Sequence, residues 1–325
     1  MKPPADAFVR WLTGMAAPAG PGGGLAILIY HRILPEADEI SSDVTARVFD
    51  AQMRGLTDHF TPVRLSEALD RLDSGSLPSR AVCVTFDDGY RNNAEVALPI
   101  LERHGVPATF FVATGFMDGG VMWNDAVIEA IRASRSARLD LERWGQGVFA
   151  LDTSEARREC AKKLLTYLKY TPPEERESKV QDLAEHLAVA PPRDLMMRAE
   201  HVRALKSAGM EIGAHSVSHP ILAKLSRADA EREIVESGRH LAEILREPTR
   251  LFAYPNGKPG LDYAPEHVEM VRKAGYRSAL ATIPGMASVR SDRYQVPRIA
   301  PWGRSPTGFS LRLARTFMRA GHPQR

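Results

Sequence analysis

The sequence predicts an α/β fold in the form of a (β/α) barrel, closed or partly open, and three features carry that expectation. Short apolar, β-favouring runs recur along the 325 residues, amphipathic helical patterns separate them, and polar clusters fall just beyond the carboxyl ends of the runs. Roughly seven core strands emerge from this alternation, which suits a barrel better than a flat sheet.

In chain order, Ala7 to Ala16 has the pattern of a short amphipathic helix, and Pro18 to Gly24 breaks it. That glycine run precedes the first strand and lacks a Lys-Ser/Thr ending, so it reads as a flexible lead-in and not as a phosphate loop. Leu25–Tyr30 is the first strand, followed by helices over Phe49–Phe60 and Ser66–Leu72 and a turn at Gly75–Ser79. Ala81–Phe86, a helix from Asn92 to His104 stopped by Gly105, and the strand Ala108–Ala113 form a βαβ unit with an expected right-handed crossover. From Met117 to Met197 the rhythm changes to helical patterns at Asp125–Ala133, Glu155–Tyr170 and Glu174–Leu187, without a core strand. Thr171-Pro-Pro-Glu174 looks like a helix start capped by the threonine. This stretch reads as an insertion that covers the site or shapes access to it.

Alternation then resumes. Helices are expected at Glu200–Ala208, Ser226–Arg246 and His267–Ala274, and strands at Met210–Ala214, Arg250–Tyr254, Tyr276–Thr282 and Tyr294–Ile299. The division that follows is a lead-in over residues 1–24, a catalytic domain over 25–300 with the insertion at about 117–197, and a C-terminal helix and tail over 301–325. Phe309–Ala320 is amphipathic and basic, and a packing helix is favoured over a membrane-surface anchor.

Composition excludes several classes. A net charge of +3 with no dense Lys/Arg stripe gives no reason to expect nucleic acid. Two isolated cysteines, Cys83 in a predicted strand and Cys160 in a predicted helix, argue against a disulfide framework. No window resembles a signal peptide or a membrane span, so cytoplasmic residence is expected, compatible with work at the inner face of a membrane.

The chemistry centres on Thr85-Phe-Asp-Asp-Gly89. Adjacent aspartates at the end of a buried strand call for a cation, a shared proton or open water, although Asp-Asp-Gly is also an ordinary surface turn. Far downstream, His215-Ser-Val-Ser-His219 closes another strand, and two imidazoles four residues apart on a helical turn could complete a three-ligand site with one carboxylate.

Together with Phe252-Ala-Tyr-Pro-Asn-Gly257, these motifs, in this order, resemble the polysaccharide deacetylases with a NodB homology domain, over about Leu25 to Ile299. The resemblance implies a distorted (β/α)7 barrel with a helical insertion and metal-dependent removal of N-acetyl groups from amino sugars. It implies Asp88, His215 and His219 as metal ligands and Asp87 as general base, with Tyr254, Pro255 and Asn256 at the position that supplies oxyanion donors. Zinc is the first expectation, and cobalt, nickel or iron would also suit two histidines and a carboxylate. The implied partner is an N-acetylated glycan.

Two departures stand out. Ala253 occupies a position where many members carry an arginine that orients the base; Arg298 could substitute, or could simply face solvent. The late Leu-x-x-His motif that supplies the general acid is missing. Tyr30-His31 resembles a subgroup that places a histidine after the first strand, so His31 is the candidate proton donor. Asp125 could contact sugar hydroxyls or cap a helix. Deformylation or hydrolysis of another non-peptide amide on a lipid-linked sugar, and a catalytically inactive glycan-binding relative, are the alternatives.

Overall fold

A computed structural model describes residues 14, 17–41, 43–301, 303 and 305–320. Of the expected helix at Ala7–Ala16, only Gly14 is among the described residues.

The strands β1 (Ala26–Tyr30), β2 (Ala81–Phe86), β3 (Ala108–Val112), β4 (Glu211–Ala214), β5 (Leu251–Ala253), β6 (Ser278–Pro284) and β7 (Val296–Arg298) pair in parallel with their sequence neighbours. Backbone bonds then bring the last strand to the first. Ile29 N–H donates to Ile299 O at 3.1 Å and Ile299 N–H to Ile27 O at 2.8 Å, so the sheet is a nearly closed (β/α)7 barrel. Because each strand is followed by a crossover to its neighbour, all carboxyl ends open on the same face.

Residue parity along the strands separates two cores. Ala26, Leu28, Tyr30, Val84, Phe86, Phe110 and Val112 face outward and pack beneath helices such as α1 (Ala46–His59), through Phe49, Met53 and Leu56. Leu25, Ile27, Ala81, Cys83, Phe111, Leu251, Ala253, Leu280 and Val296 fill the barrel, whose base is plugged by Leu65, Ala68, Leu69 and Leu72 of α2 (Leu65–Asp73). Strand side chains alternate sides, so Asp87 and Arg298 continue the inward series of their strands, and His31 that of β1. Cys83 and Cys160 are buried free thiols.

The expected helix at Asn92–His104 is a π-helical turn, Asn93–Ala97, followed by α3 (Leu98–His104). The extra residue of a π-turn re-aims one side chain; here Asn93 is fully buried and its amide donates to His31 O at 2.7 Å.

The segment expected as an insertion builds its own core. Val127 and Ile131 of α4 (Trp123–Ala133), Leu164 and Leu168 of α5 (Ser154–Lys169) and Leu183 of α6 (Pro173–His186) meet Leu139 and Leu141. The last two belong to an antiparallel hairpin, Arg138–Leu141 with Gly147–Ala150, that sequence reading missed, since four residues of alternation are too few to register. Thr171 does not cap α6. Pro172 holds that position, and the Thr171 hydroxyl instead donates to Tyr167 O at 3.2 Å in the turn that ends α5.

Three more helices, α7 (Ala199–Ser207), α8 (Arg227–Leu245) and α9 (Pro265–Lys273), complete the outer layer. Ser226 caps α8, accepting from Asp229 N–H at 3.2 Å. The C-terminal α10 (Pro306–Ala320) is a packing helix: Phe309, Leu313 and Phe317 are buried, and Phe317 stacks on Phe60 at 5.8 Å. No helix among the described residues is long and apolar enough to cross a membrane.

Candidate active site

At the carboxyl ends of the strands lies a cleft of about 620 Å³, whose lining includes His31, Asp87, Asp88, Asp125, His215, His219 and Asn256. The structure thus brings together groups separated by more than a hundred positions.

Asp87 is anchored on both sides. Its N–H donates to Tyr30 O at 2.9 Å, and both carboxylate oxygens accept from Arg298, each at 2.7 Å. The guanidinium is buried, donates its Nε–H to Ala281 O at 3.1 Å, and does not face solvent. Since β7 neighbours β6 and β1, Arg298 enters the barrel from the closing strand. The short side chain of Ala253, also interior, leaves that space open. Burial alone would raise the Asp87 carboxyl, but the charges of Arg298 and His215 outweigh it and hold the group below the ordinary value.

Asp88 cannot continue the strand. Its φ of 76° lies in the left-handed region, which turns its side chain back over the barrel mouth, and Gly89 follows at φ 87°. A Cβ at Gly89 would sit 2.8 Å from Val112 Cγ1, so glycine is required by both φ and space.

His215 follows β4, and its Nδ1 lies 2.7 Å from Ala253 O. A carbonyl can only accept, so Nδ1 carries the proton and Nε2 presents its lone pair to the cleft. The two imidazoles are not on a helical turn, contrary to expectation. Ser216 and His219 have φ of 62° and 53°, and the loop is held by Glu233 of α8, which accepts from Val217 N–H and Ser218 N–H at 2.8 Å and from the Ser218 hydroxyl at 2.7 Å. Glu233 was invisible to sequence reading, where it resembles any solvated glutamate on a helix face.

His215 Nε2 and His219 Nε2 lie 3.5 and 3.4 Å from Asp88 Oδ1. One ligand atom from each of the three residues falls within 4.8 Å of the others. Asp88 Oδ1 is buried and has no hydrogen-bond partner, a costly arrangement unless a cation sits between the carboxylate and the imidazole lone pairs. The donor set therefore fits a divalent metal. Burial pushes His219 down to about 4, against the pull of Asp88, whereas at His215 the aspartates outweigh burial and raise the value.

The remaining expected residues divide. His31 follows Tyr30, which is paired with Phe86, so His31 and Asp87 leave adjacent strands side by side. Asn256 lines the cleft with φ 58°, and its N–H is taken by no carbonyl or side chain among the described residues. Tyr254 points elsewhere: its side chain is buried, its hydroxyl donates to Tyr294 O at 3.0 Å, its ring stacks on Tyr263 at 3.9 Å, and its N–H goes to Leu280 O. Pro255 has no N–H to give and serves only the turn.

Asp125 sits in the first turn of α4, but Met122 is the N-cap residue and no side chain caps the helix. Its carboxylate accepts from the Tyr90 hydroxyl at 2.9 Å and lies 3.5 Å from Arg32. Burial raises it to about 7 despite that arginine. Arg32 and Tyr90 escaped sequence reading, because an arginine beside a histidine and a tyrosine after a glycine carry no distinguishing pattern.

Comparison with known proteins matches residues 74–145 and 148–279 to the family model described as polysaccharide deacetylase. His31 and Arg298 lie outside the matched residues, and most of the insertion lies within them. YxkH of Bacillus subtilis (strain 168), which carries a polysaccharide-deacetylase name, is 23% identical over 277 residues, 85% of this chain and 70% of that protein. The poly-beta-1,6-N-acetyl-D-glucosamine N-deacetylase of Staphylococcus aureus is 36% identical over 73 residues, 22% of this chain and 25% of its own length. Among solved structures, the Streptococcus pyogenes deacetylase PplD in complex with acetate has a TM-score of 0.60 at 20% identity, covering 90% of this chain and 98% of that one. With the family model spanning more than half of the sequence and the barrel shared with PplD, the chain belongs to the polysaccharide deacetylase family, hydrolases of carbon–nitrogen bonds other than peptide bonds.

Proposed function

We propose that this protein is a metal-dependent N-deacetylase of amino-sugar glycans, with residues 25–300 as its catalytic unit and the segment at about 117–197 shaping access to the cleft. The observation that carries the reading is the unpartnered buried Asp88 Oδ1 facing two imidazole nitrogens, with a second carboxylate, Asp87, beside that ligand set but outside it and held by Arg298. A binding module has no use for both.

A divalent ion held by Asp88, His215 and His219 would polarise the amide carbonyl and lower the pKa of water from 15.7 toward about 7. Asp87 takes the proton of the attacking water. Its pairing with Arg298 keeps it ionised and aimed, at some cost in basicity. As water adds to the acetamide carbon, the Asn256 N–H donates to the oxygen that gains charge. His31 then gives a proton to the nitrogen as the C–N bond breaks, leaving acetate and a free amine. Zinc is the metal we favour on the donor set.

The test is acetate release from N-acetylglucosamine oligomers by purified protein, repeated after chelation and metal add-back. Activity lost with the metal and restored by it supports the reading. Acetate production at full rate by metal-free protein, or by Asp87→Asn, overturns it.

A further inference from the structure

Beside the cleft runs a second hollow of about 780 Å³ between α4 and α6. The two are continuous: Trp123 and Arg176 line both, and Ser218 of the hollow adjoins His219 of the cleft. The cleft holds Asp87, Asp88, His215 and His219, whereas the hollow, Gln181, Ser218 and its charged members apart, is walled by apolar side chains that include Phe116, Val121, Val180, Val189 and Pro191. Those side chains offer no hydrogen bonds, which the hydroxyls of a longer glycan would need once taken from water. Its acidic members, Glu177 and Glu185, are exposed.

One cation stands at the junction and a second in the cleft. The Arg176 guanidinium lies 4.9 Å from the Trp123 ring centroid, and Lys169 lines the cleft from the end of α5. Both are half-buried, and neither has a carboxylate partner among the described residues. Arg132, Arg138 and Arg143 of the insertion, by contrast, are paired with acids. A substrate reaching from the cleft into the hollow thus passes an acid–imidazole cluster, then unpaired positive charge, then an apolar wall.

We propose that the hollow is a tail subsite and that the substrate is an N-acetylated sugar joined through a phosphate to an apolar chain. The sugar lies in the cleft, the phosphate meets Arg176 and Lys169, and the chain follows the wall of α4 and α6. The proposal rests on the deacetylase reading of the cleft and adds the substrate class to it.

Binding of prenyl phosphates can be followed by calorimetry with no turnover. Farnesyl phosphate should bind the metal-loaded protein, at least about tenfold more tightly than geranyl phosphate, because five further carbons leave water. It should also bind more tightly than farnesol, and Arg176→Gln should remove that preference. Val180→Glu, or Ala184→Glu if the first variant fails to fold, should weaken farnesyl phosphate about tenfold and erase the dependence on chain length. Equal affinity for geranyl and farnesyl phosphate, no binding of either, or tightening with N-acetylglucosamine oligomer length in their place overturns the inference while leaving deacetylation standing. Binding of farnesyl phosphate with no acetate released from any N-acetylated sugar keeps the subsite and sinks the deacetylase reading.

Discussion

Replacing Arg298 by methionine removes a charge and its four hydrogen bonds, two to Asp87 and one each to Thr85 and the Ala281 carbonyl, but keeps a flexible chain of similar length. In the wild type, both Asp87 oxygens accept from the guanidinium at 2.7 Å, with Arg298 and Asp87 side chains 0% and 3% exposed. Breaking such a buried pair by deleting one partner costs about 3–5 kcal/mol, because the other charge is left without compensation. The penalty should depend on pH. In the wild type the Asp87 value is depressed, so its contribution is present above the ordinary carboxyl value of about 3.9 and lost as pH falls through the lower folded value. In Arg298→Met, burial dominates and the folded value rises above 3.9. That variant therefore loses stability as pH rises through the new value, and its deficit should narrow by about 1.4 kcal/mol for each unit of pH lowered between that value and about 3.9. Urea unfolding of both proteins from pH 7.5 to 4.5 reads the difference, and the Asp87→Asn/Arg298→Met double variant should recover most of the stability and none of the activity. A deficit below about 1 kcal/mol that does not change with pH would refute the role of this pair, since a buried unpaired carboxylate cannot be so cheap.

His31→Gln should lower acetate release by about 10²- to 10⁴-fold on N-acetyl sugars, and much less on acetate esters with good leaving groups, which need no proton; equal losses on both would remove His31 from the donor role. His219 is held near 4 when folded, below its ordinary 6.5, so it stays neutral in the native state while the unfolded chain takes up protons. The chelated protein should accordingly lose thermal stability as pH falls from about 6.5 to 4, and His219→Gln should flatten that slope. Asp125 has the opposite sign. With its carboxyl raised to about 7, the wild type loses stability from this group as pH rises from about 4 to 7. The stability of Asp125→Asn relative to wild type should therefore improve steadily across that range, and a difference in melting temperature that stays constant with pH would contradict the burial argument.

Much of the outline was legible because it follows from local patterns. The apolar runs of β1, β2 and β3 are buried at nearly every position and sit between strong turn signals, and the helices that follow them carry one apolar face, so order and type could be read directly. Elements without such a pattern were missed. The hairpin at Arg138–Leu141 is too short, and the π-turn at Asn93–Ala97 differs from an α-helix by one residue. Thr171 had the composition of a cap, yet its hydroxyl bonds backward to Tyr167 O, because two chain segments compete for the same residue.

By itself the sequence determined the strand and helix order, the adjacent carboxylates at Asp87 and Asp88, and the histidine pair at 215 and 219, since these depend on residue type and on the periods of strand and helix. Only the tertiary structure decided which groups meet. Barrel closure brings Arg298 to Asp87 from 211 positions away, Glu233 on α8 fixes the histidine loop, the left-handed backbone at Asp88 aims one carboxylate apart from its neighbour, and Tyr254 is turned out of the cleft. The physical reason is that a buried charge must find its counterpart in space, and the chain can supply it from any strand that reaches the same end of the barrel.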